Sequence, residues 1–254
     1  MSGGRIRRTL NAPRSQGSNP GMKTTRWKPA AHRFWREWLK PGLVIVLVTT
    51  ALRSALADWN DVPTGSMKPS ILEGDRVWVN KLAYDLKVPF TTWHLAEWSD
   101  PQRGEVVVFF SPANGQRLVK RVIGLPGDTV ELRDNRLFLN GRAVDYDSLD
   151  TVIVNAIPAV QQSRHAFASE RLTERRHPVM ATPALPARRS FGPTAIPAGH
   201  YFMLGDNRDN SLDSRYFGPV PREQIVGRST AVVLSFDRER WFAPRWARCF
   251  TAIP

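Results

Sequence analysis

The sequence predicts a mainly β protein: an antiparallel sheet or barrel-like domain carrying an inserted smaller region and preceded by one transmembrane helix. Three observations lead there. Past residue 58 the chain falls into short runs rich in β-branched and aromatic residues, each bounded by Gly, Pro, Asn or Asp. No long amphipathic helix pattern interrupts those runs. Ahead of them stands one strongly apolar stretch behind a dense block of basic residues.

Residues 1–40 hold ten basic side chains against the single acid Glu37, a charge of +9 out of the +13 of the whole 254-residue chain. The segment is rich in Ser, Gly and Pro and has no apolar periodicity, so a disordered tail is expected. Such charge suits either nucleic acid or an anionic membrane surface. The stretch that follows, WLKPGLVIVLVTTALRSALADW, assigns it to the membrane, and no nucleic-acid partner is expected.

Residues 41–58 are read as that membrane anchor. Leu43 to Leu52 are uninterrupted, but a bilayer needs about 20 residues. The length is reached over Trp38–Leu56, with Lys40 and Arg53 snorkelling to the headgroups. A buried core helix is the alternative. The basic flank favours a span with its N-terminus in the cytoplasm and residues 59–254 outside it. Ala55-Leu56-Ala57 also fits the cleavage site of a removable signal peptide, yet the basic region is too long and Arg53 too close to that site. An uncleaved anchor fits better.

The β region then reads as DRVWVNKLAY, GEVVVFFS, RLVKRVIG, TVELRDNRLFLNG, HYFMLGD and STAVVLSF, strands at the spacing of a sandwich or barrel. Asp134-Asn135 marks a tight hairpin turn. From about 145 to 198 prolines and basic residues accumulate, and Thr151–Ile157 is the one convincing strand. The region is expected to be an insertion, partly irregular, and a surface rather than a site. One cysteine, Cys249, excludes an internal disulfide, and five scattered histidines form no ligand pattern. No metal or cofactor is expected.

The motif VPTGSMKPSILEGD, residues 62–75, places Ser66 between Gly65 and Met67. By composition alone this is a turn. A serine hydroxyl attacks an amide only where a base takes its proton. Two lysines qualify on strand alternation: Lys120, sharing a face with Leu118 and Val122, and Lys81, sharing one with Val77 and Val79. Either would need its pKa lowered from about 10.4 toward 7 or 8, a differential of roughly 4 kcal/mol that burial supplies and a nearby carboxylate opposes.

Four stretches, GSMKPSILEGD, RGEVVVFFSP, LVKRVIGLPGD and GDNRDNSLDSRYFG, follow the apolar segment in order. Together they resemble bacterial type I signal peptidase (leader peptidase), the membrane-anchored serine proteases that use a Ser/Lys dyad. The resemblance implies Ser66 as nucleophile and selects Lys120 as general base. It implies an oxyanion site from the Ser66 N–H and the Thr64 hydroxyl, with Ser211 orienting the lysine amine. Asp206 and Asp213 would be paired with Arg121 and Arg215, which keeps their charge off the lysine. Substrate pockets are assigned to Val62, Pro63, Met67, Ile71 and Val119, each of which could equally be core. The implied reaction is cleavage of exported preproteins after Ala-x-Ala-like signal-peptide sites at the bacterial inner membrane, so preproteins and phospholipid are the expected partners.

Three alternatives stand beside it. A peptidase of the same fold could be dedicated to one substrate of conjugation or pilus assembly. A Ser/Lys repressor-type autoprotease would carry a helix-turn-helix and no anchor. A catalytically dead binding protein would have lost Ser66 or Lys120. Two aromatic clusters, Phe90, Trp93 and Trp98, and Trp241, Phe242, Trp246 and Phe250, fit either the headgroup layer or a core.

Overall fold

The computed structural model describes residues 32–88, 91, 93–155, 157, 162–172 and 174–254; residues 1–31, which make up most of the basic tail, and Phe90 lie outside the described residues. The chain divides into two compact units, Met1–Val46 and Leu47–Pro254. A π-helical stretch, Trp35–Leu39, leads into the α-helix Lys40–Leu56, which runs across the division. Its apolar residues Leu43 to Val48 are exposed.

Seventeen residues at 1.5 Å each rise about 25 Å. No helix among the described residues is long and apolar enough to cross a membrane. The helix over Lys40–Leu56 stops two residues short of the expected end at 58. Lys40, Pro41 and Gly42 interrupt the apolar pattern at its start, and Ala57–Asp61 leaves the helix to pair with a strand of the second unit.

Strands β1 (Ala57–Asp61) and β2 (Asp75–Asn80) open the second unit. In β2 the expected alternation holds: Val77 and Val79 point into the core while Arg76 and Trp78 point out. The short pair β3 (Asp85–Lys87) and β4 (His94–Glu97) lies apart from the main sheet. β5 (Val106–Phe110) is buried over four consecutive residues, as a central strand should be, and pairs with β6 (Arg117–Gly124). β7 (Thr129–Arg133) and β8 (Arg136–Leu139) join through Asp134-Asn135, both at positive φ, the two-residue turn that the sequence announces. β9 (Arg142–Ala143) completes that meander.

The inserted region departs from expectation. It holds β10 (Asp145–Asp147), β11 (Ala166–Arg171) and β12 (Arg176–Ala181), which form a three-stranded sheet, and β13 (Phe191–Ala195), which pairs with β7. The expected strand Thr151–Ile157 is instead a helix over Thr151–Asn155. Asp150 starts it, its carboxylate accepting the Val152 N–H at 2.9 Å, and this cap outweighs the β propensity of Thr, Val and Ile.

β14 (His200–Leu204), β15 (Val220–Pro221), the long β16 (Ile225–Asp237), β17 (Ala243–Pro244) and β18 (Thr251–Ala252) finish the chain. Among the described residues the main sheet has nine antiparallel strands, with path β1-β2-β16-β5-β6-β14-β15 and with β17 and β18 on β16. One core cluster, Val62, Met67, Ile71, Val77, Val106 and Val232, packs the Ser66 segment onto this sheet.

Candidate active site

Ser66 lies in a single 3-10 turn, Gly65–Met67, between β1 and β2. Met67 and Ile71 sink into the core and anchor the turn, and the Ile71 N–H bonds the Met67 carbonyl at 3.0 Å. The Glu73 carboxylate packs over Gly65: a Cβ there would stand 2.4 Å from it and would displace that side chain. The loop after β14 approaches as closely: a Cβ on Gly205 would stand 2.5 Å from the Ser66 carbonyl oxygen.

Lys120 projects from β6, opposite Val107 of β5, and is 3% exposed. Its Nζ stands 2.6 Å from Ser66 Oγ and donates to the Val119 carbonyl at 3.0 Å. Burial pushes its pKa down to about 8; Asp213 and Asp206 oppose that shift, and Arg215 assists it. Lys81 is elsewhere. β2 ends at Asn80, Lys81 begins a 3-10 turn, and its Nζ stands 3.7 Å from Asp58.

The two carboxylates near the lysine are matched by arginines. Arg121 binds Asp206 through Nε at 2.9 Å and Nη2 at 2.7 Å. Arg215 binds Asp213 through Nε at 2.8 Å and Nη2 at 2.9 Å. Both bridges are bidentate and buried, and Arg215 offsets part of the pull that the two carboxylates exert on Lys120. Ser70 adds a hydroxyl to the Asp206 carboxylate. Ser211 departs from expectation. Its Oγ is buried, has no hydrogen-bond partner among the described residues, and lies against Gly205 rather than bonding the lysine amine.

Ser66 and Lys120 face an open cleft of about 440 Å³, lined by Val62, Pro63, Thr64, Met67 and Val119 and closed at the sides by Asn60, Asp61 and Arg117. Ile71 does not reach it. At 0% exposed it is part of the core beneath, so its assignment to the substrate pocket is corrected. Thr64 is exposed at the cleft, in extended backbone.

Sequence reasoning missed Asn207. Its N–H donates to the Ser66 carbonyl and its Nδ2 to the Gly65 carbonyl, both at 3.1 Å, so one residue fixes two consecutive peptide planes of the nucleophile turn. The signal was present in GDNRDNS, where only the charged residues drew a role. Among the described residues no cluster of His, Cys, Asp or Glu is arranged to hold a metal.

A hydroxyl and a buried amine in contact over an open, sheet-edged cleft are the equipment of a serine peptidase. A family model described as signal peptidase, peptidase S26, matches residues 35–234. The signal peptidase I of Pseudomonas fluorescens is 40% identical over 212 residues, spanning 79% of this chain and 72% of its own length. That of Pseudomonas aeruginosa is 40% identical over 211 residues, with 77% and 70% covered. Signal peptidase I P of Bacillus subtilis subsp. natto is 31% identical over 205 residues, with 80% and 91% covered. The chain belongs to the signal peptidase family, peptidase S26, and is a serine endopeptidase that removes signal peptides.

Proposed function

We propose that Ser66 is the nucleophile and Lys120 its general base, and that the enzyme cleaves preproteins after Ala-x-Ala-like sites. The observation that carries this reading is the 2.6 Å contact between Lys120 Nζ and Ser66 Oγ at the floor of the cleft. The neutral amine takes the hydroxyl proton as Oγ attacks the scissile carbonyl. The resulting ammonium then protonates the departing amine, and the same base activates the water that releases the acyl-enzyme. The Ser66 N–H and the Thr64 hydroxyl receive the oxyanion. Ser211 supports the site by filling the space beside Gly205, and Arg121, Asp206, Asp213 and Arg215 keep the setting of the lysine electrically balanced.

Substrate docking follows from an open edge. Among the described residues of β6, only Arg121–Gly124 pair with β14, so Arg117–Lys120 offer backbone groups to an extended peptide. Val62, Pro63, Met67 and Val119 leave shallow apolar space for small side chains. Mass-spectrometric mapping of the products of a preprotein with one Ala-x-Ala site tests the reading. A cut after the second alanine is expected, abolished by leucine at that position; cutting that tolerates leucine there would overturn the specificity. Thr64→Val is expected to lower kcat by about 10² while leaving slow cleavage, because the backbone donor survives. An unchanged rate would remove Thr64 from the oxyanion site.

The membrane arrangement belongs to the same proposal: residues 1–40 in the cytoplasm, 41–58 as anchor and 59–254 outside. The +9 tail and the exposed apolar side chains of Leu43–Val48 support it, and the helical run from His32 supplies length that the Lys40–Leu56 helix lacks. Trp241, Phe242, Trp246 and Phe250 are largely exposed, as are Trp93 and Trp98, which suits contact with headgroups. Brominated phospholipid in vesicles is expected to quench the emission of a variant retaining Trp246 as its sole tryptophan. Emission insensitive to the lipid would end that assignment.

A further inference from the structure

The inserted sheet reaches the loop behind the nucleophile turn through a buried carboxylate and through the backbone of β12. Glu170 on β11 is 0% exposed; its carboxylate accepts Arg208 Nη2 at 2.7 Å and the Tyr146 hydroxyl at 2.5 Å. His177 Nε2 stands 3.4 Å from the same carboxylate and 3.8 Å from Asp206. Burial, with Arg121 and Arg208 nearby, holds the His177 pKa well below the usual range, so the imidazole is neutral and Arg208 supplies the matching charge. Arg208 Nε and Nη1 have no hydrogen-bond partner among the described residues, which leaves Glu170 as the anchor of that guanidinium.

Asp206 and Arg208 flank Asn207, and β12 clips the same three residues by its backbone. The Met180 N–H bonds the Asp206 carbonyl at 2.8 Å, and the Arg208 N–H bonds the Met180 carbonyl at 2.7 Å. Asn207 in turn holds the carbonyls of Gly65 and Ser66. Direct contacts thus run from Glu170 through Arg208 and Asn207 to the nucleophile turn.

We propose that Glu170 is a positioning residue for peptide-bond cleavage: by anchoring Arg208 it fixes Asn207, and through Asn207 the direction in which Ser66 presents its hydroxyl to Lys120. This rests on the reading of Ser66 as nucleophile. The inserted region, expected to be only a surface, is then the outer brace of the active site. A misplacement of about 1 Å at a reacting group costs on the order of 10²-fold in rate, so a remote brace has a measurable effect.

The test separates positioning from stability. Glu170→Gln alone leaves a buried guanidinium unpaired and lowers stability for that reason. The double exchange Glu170→Gln with Arg208→Met removes both charges together. Full-length enzyme in detergent is assayed on a peptide spanning an Ala-x-Ala site, with Ser66→Ala and the surface exchange Asp147→Asn run alongside. In the double variant kcat is expected to fall about 10- to 100-fold with KM within about threefold of wild type, while the thermal midpoint recovers most of what Glu170→Gln loses. Asp147→Asn should change neither quantity. A kcat that recovers together with the midpoint would overturn the proposal, as would a wild-type kcat in the folded double variant. If the double variant does not fold, Glu170→Asp, which keeps the charge but retracts it by one methylene, is expected to show the same split, and an unchanged kcat there overturns the proposal equally. An active Ser66→Ala would instead strike down the nucleophile assignment, and this inference with it; an inactive Ser66→Ala beside a normal double variant strikes down this inference alone.

Discussion

Exchange of Ser66 for alanine is expected to remove at least about four orders of magnitude from kcat, the scale on which loss of a nucleophile acts in serine proteases. The fold should be nearly indifferent. Ser66 is only partly buried, its hydroxyl meets Lys120 Nζ, and the lysine keeps its bond to the Val119 carbonyl. The turn is held by Met67 and Ile71 in the core and by Asn207 on the backbone, none of which the exchange touches. Cleavage of a purified preprotein, read beside the thermal midpoint, checks this. A midpoint within a few degrees of wild type together with lost cleavage is the expected result; retained cleavage would move the nucleophile elsewhere.

Lys120 carries the second large effect, and it shows in both rate and stability. Only the neutral amine accepts a proton, so kcat/KM is expected to rise about tenfold per pH unit up to about pH 8, the lysine pKa, and then to level off. Lys120→Arg should be almost inactive, because guanidinium stays protonated and cannot take the serine proton. Lys81→Arg should retain near-normal turnover, since that side chain lies beside Asp58 in a separate turn. Collapse of Lys81→Arg with Lys120→Arg intact would reverse the assignment.

The same lysine makes folding depend on pH. Its folded pKa lies below its unfolded value of 10.5, so the unfolded chain binds more protons between about pH 8 and 10.5, and stability rises with pH across that window. Below about pH 8 the buried ammonium costs the fold about 3 kcal/mol relative to a lysine in water. Lys120→Met should therefore raise the thermal midpoint at pH 6 and lose that advantage as pH climbs through the window. A gap that does not narrow with pH would show that the amine is solvated in the folded protein.

The strands with clean hydrophobic runs were readable without the structure. Val77 and Val79 in β2, the VVVFF of β5 and the Asp134-Asn135 turn depend on local pattern alone. The contacts of Ser66 with Lys120 and of Arg121 with Asp206 were legible only through the resemblance, because no periodicity relates residues 54 or 85 positions apart. The inserted sheet was not legible. AFASER and RHPVMA bury Glu170 and His177 on their inner side, so the strands carry a polar core that reads as exterior. Ile71 failed in the opposite direction: two aliphatic residues of one motif, Met67 and Ile71, look alike in sequence, and only packing tells which of them borders the cleft.

The order of strands in the main sheet bears on how the enzyme is born. β16 lies between β2 and β5, and it joins the half that carries Ser66 to the half that carries Lys120. Yet it comes late in the chain, at Ile225–Asp237, more than a hundred residues after either functional group. A nascent chain emerging from its N-terminal end exposes the hydroxyl first and the amine next, and holds both without the strand that brings their halves together. Proteolytic competence is thereby deferred until synthesis has passed residue 237, the end of the strand that joins the two halves.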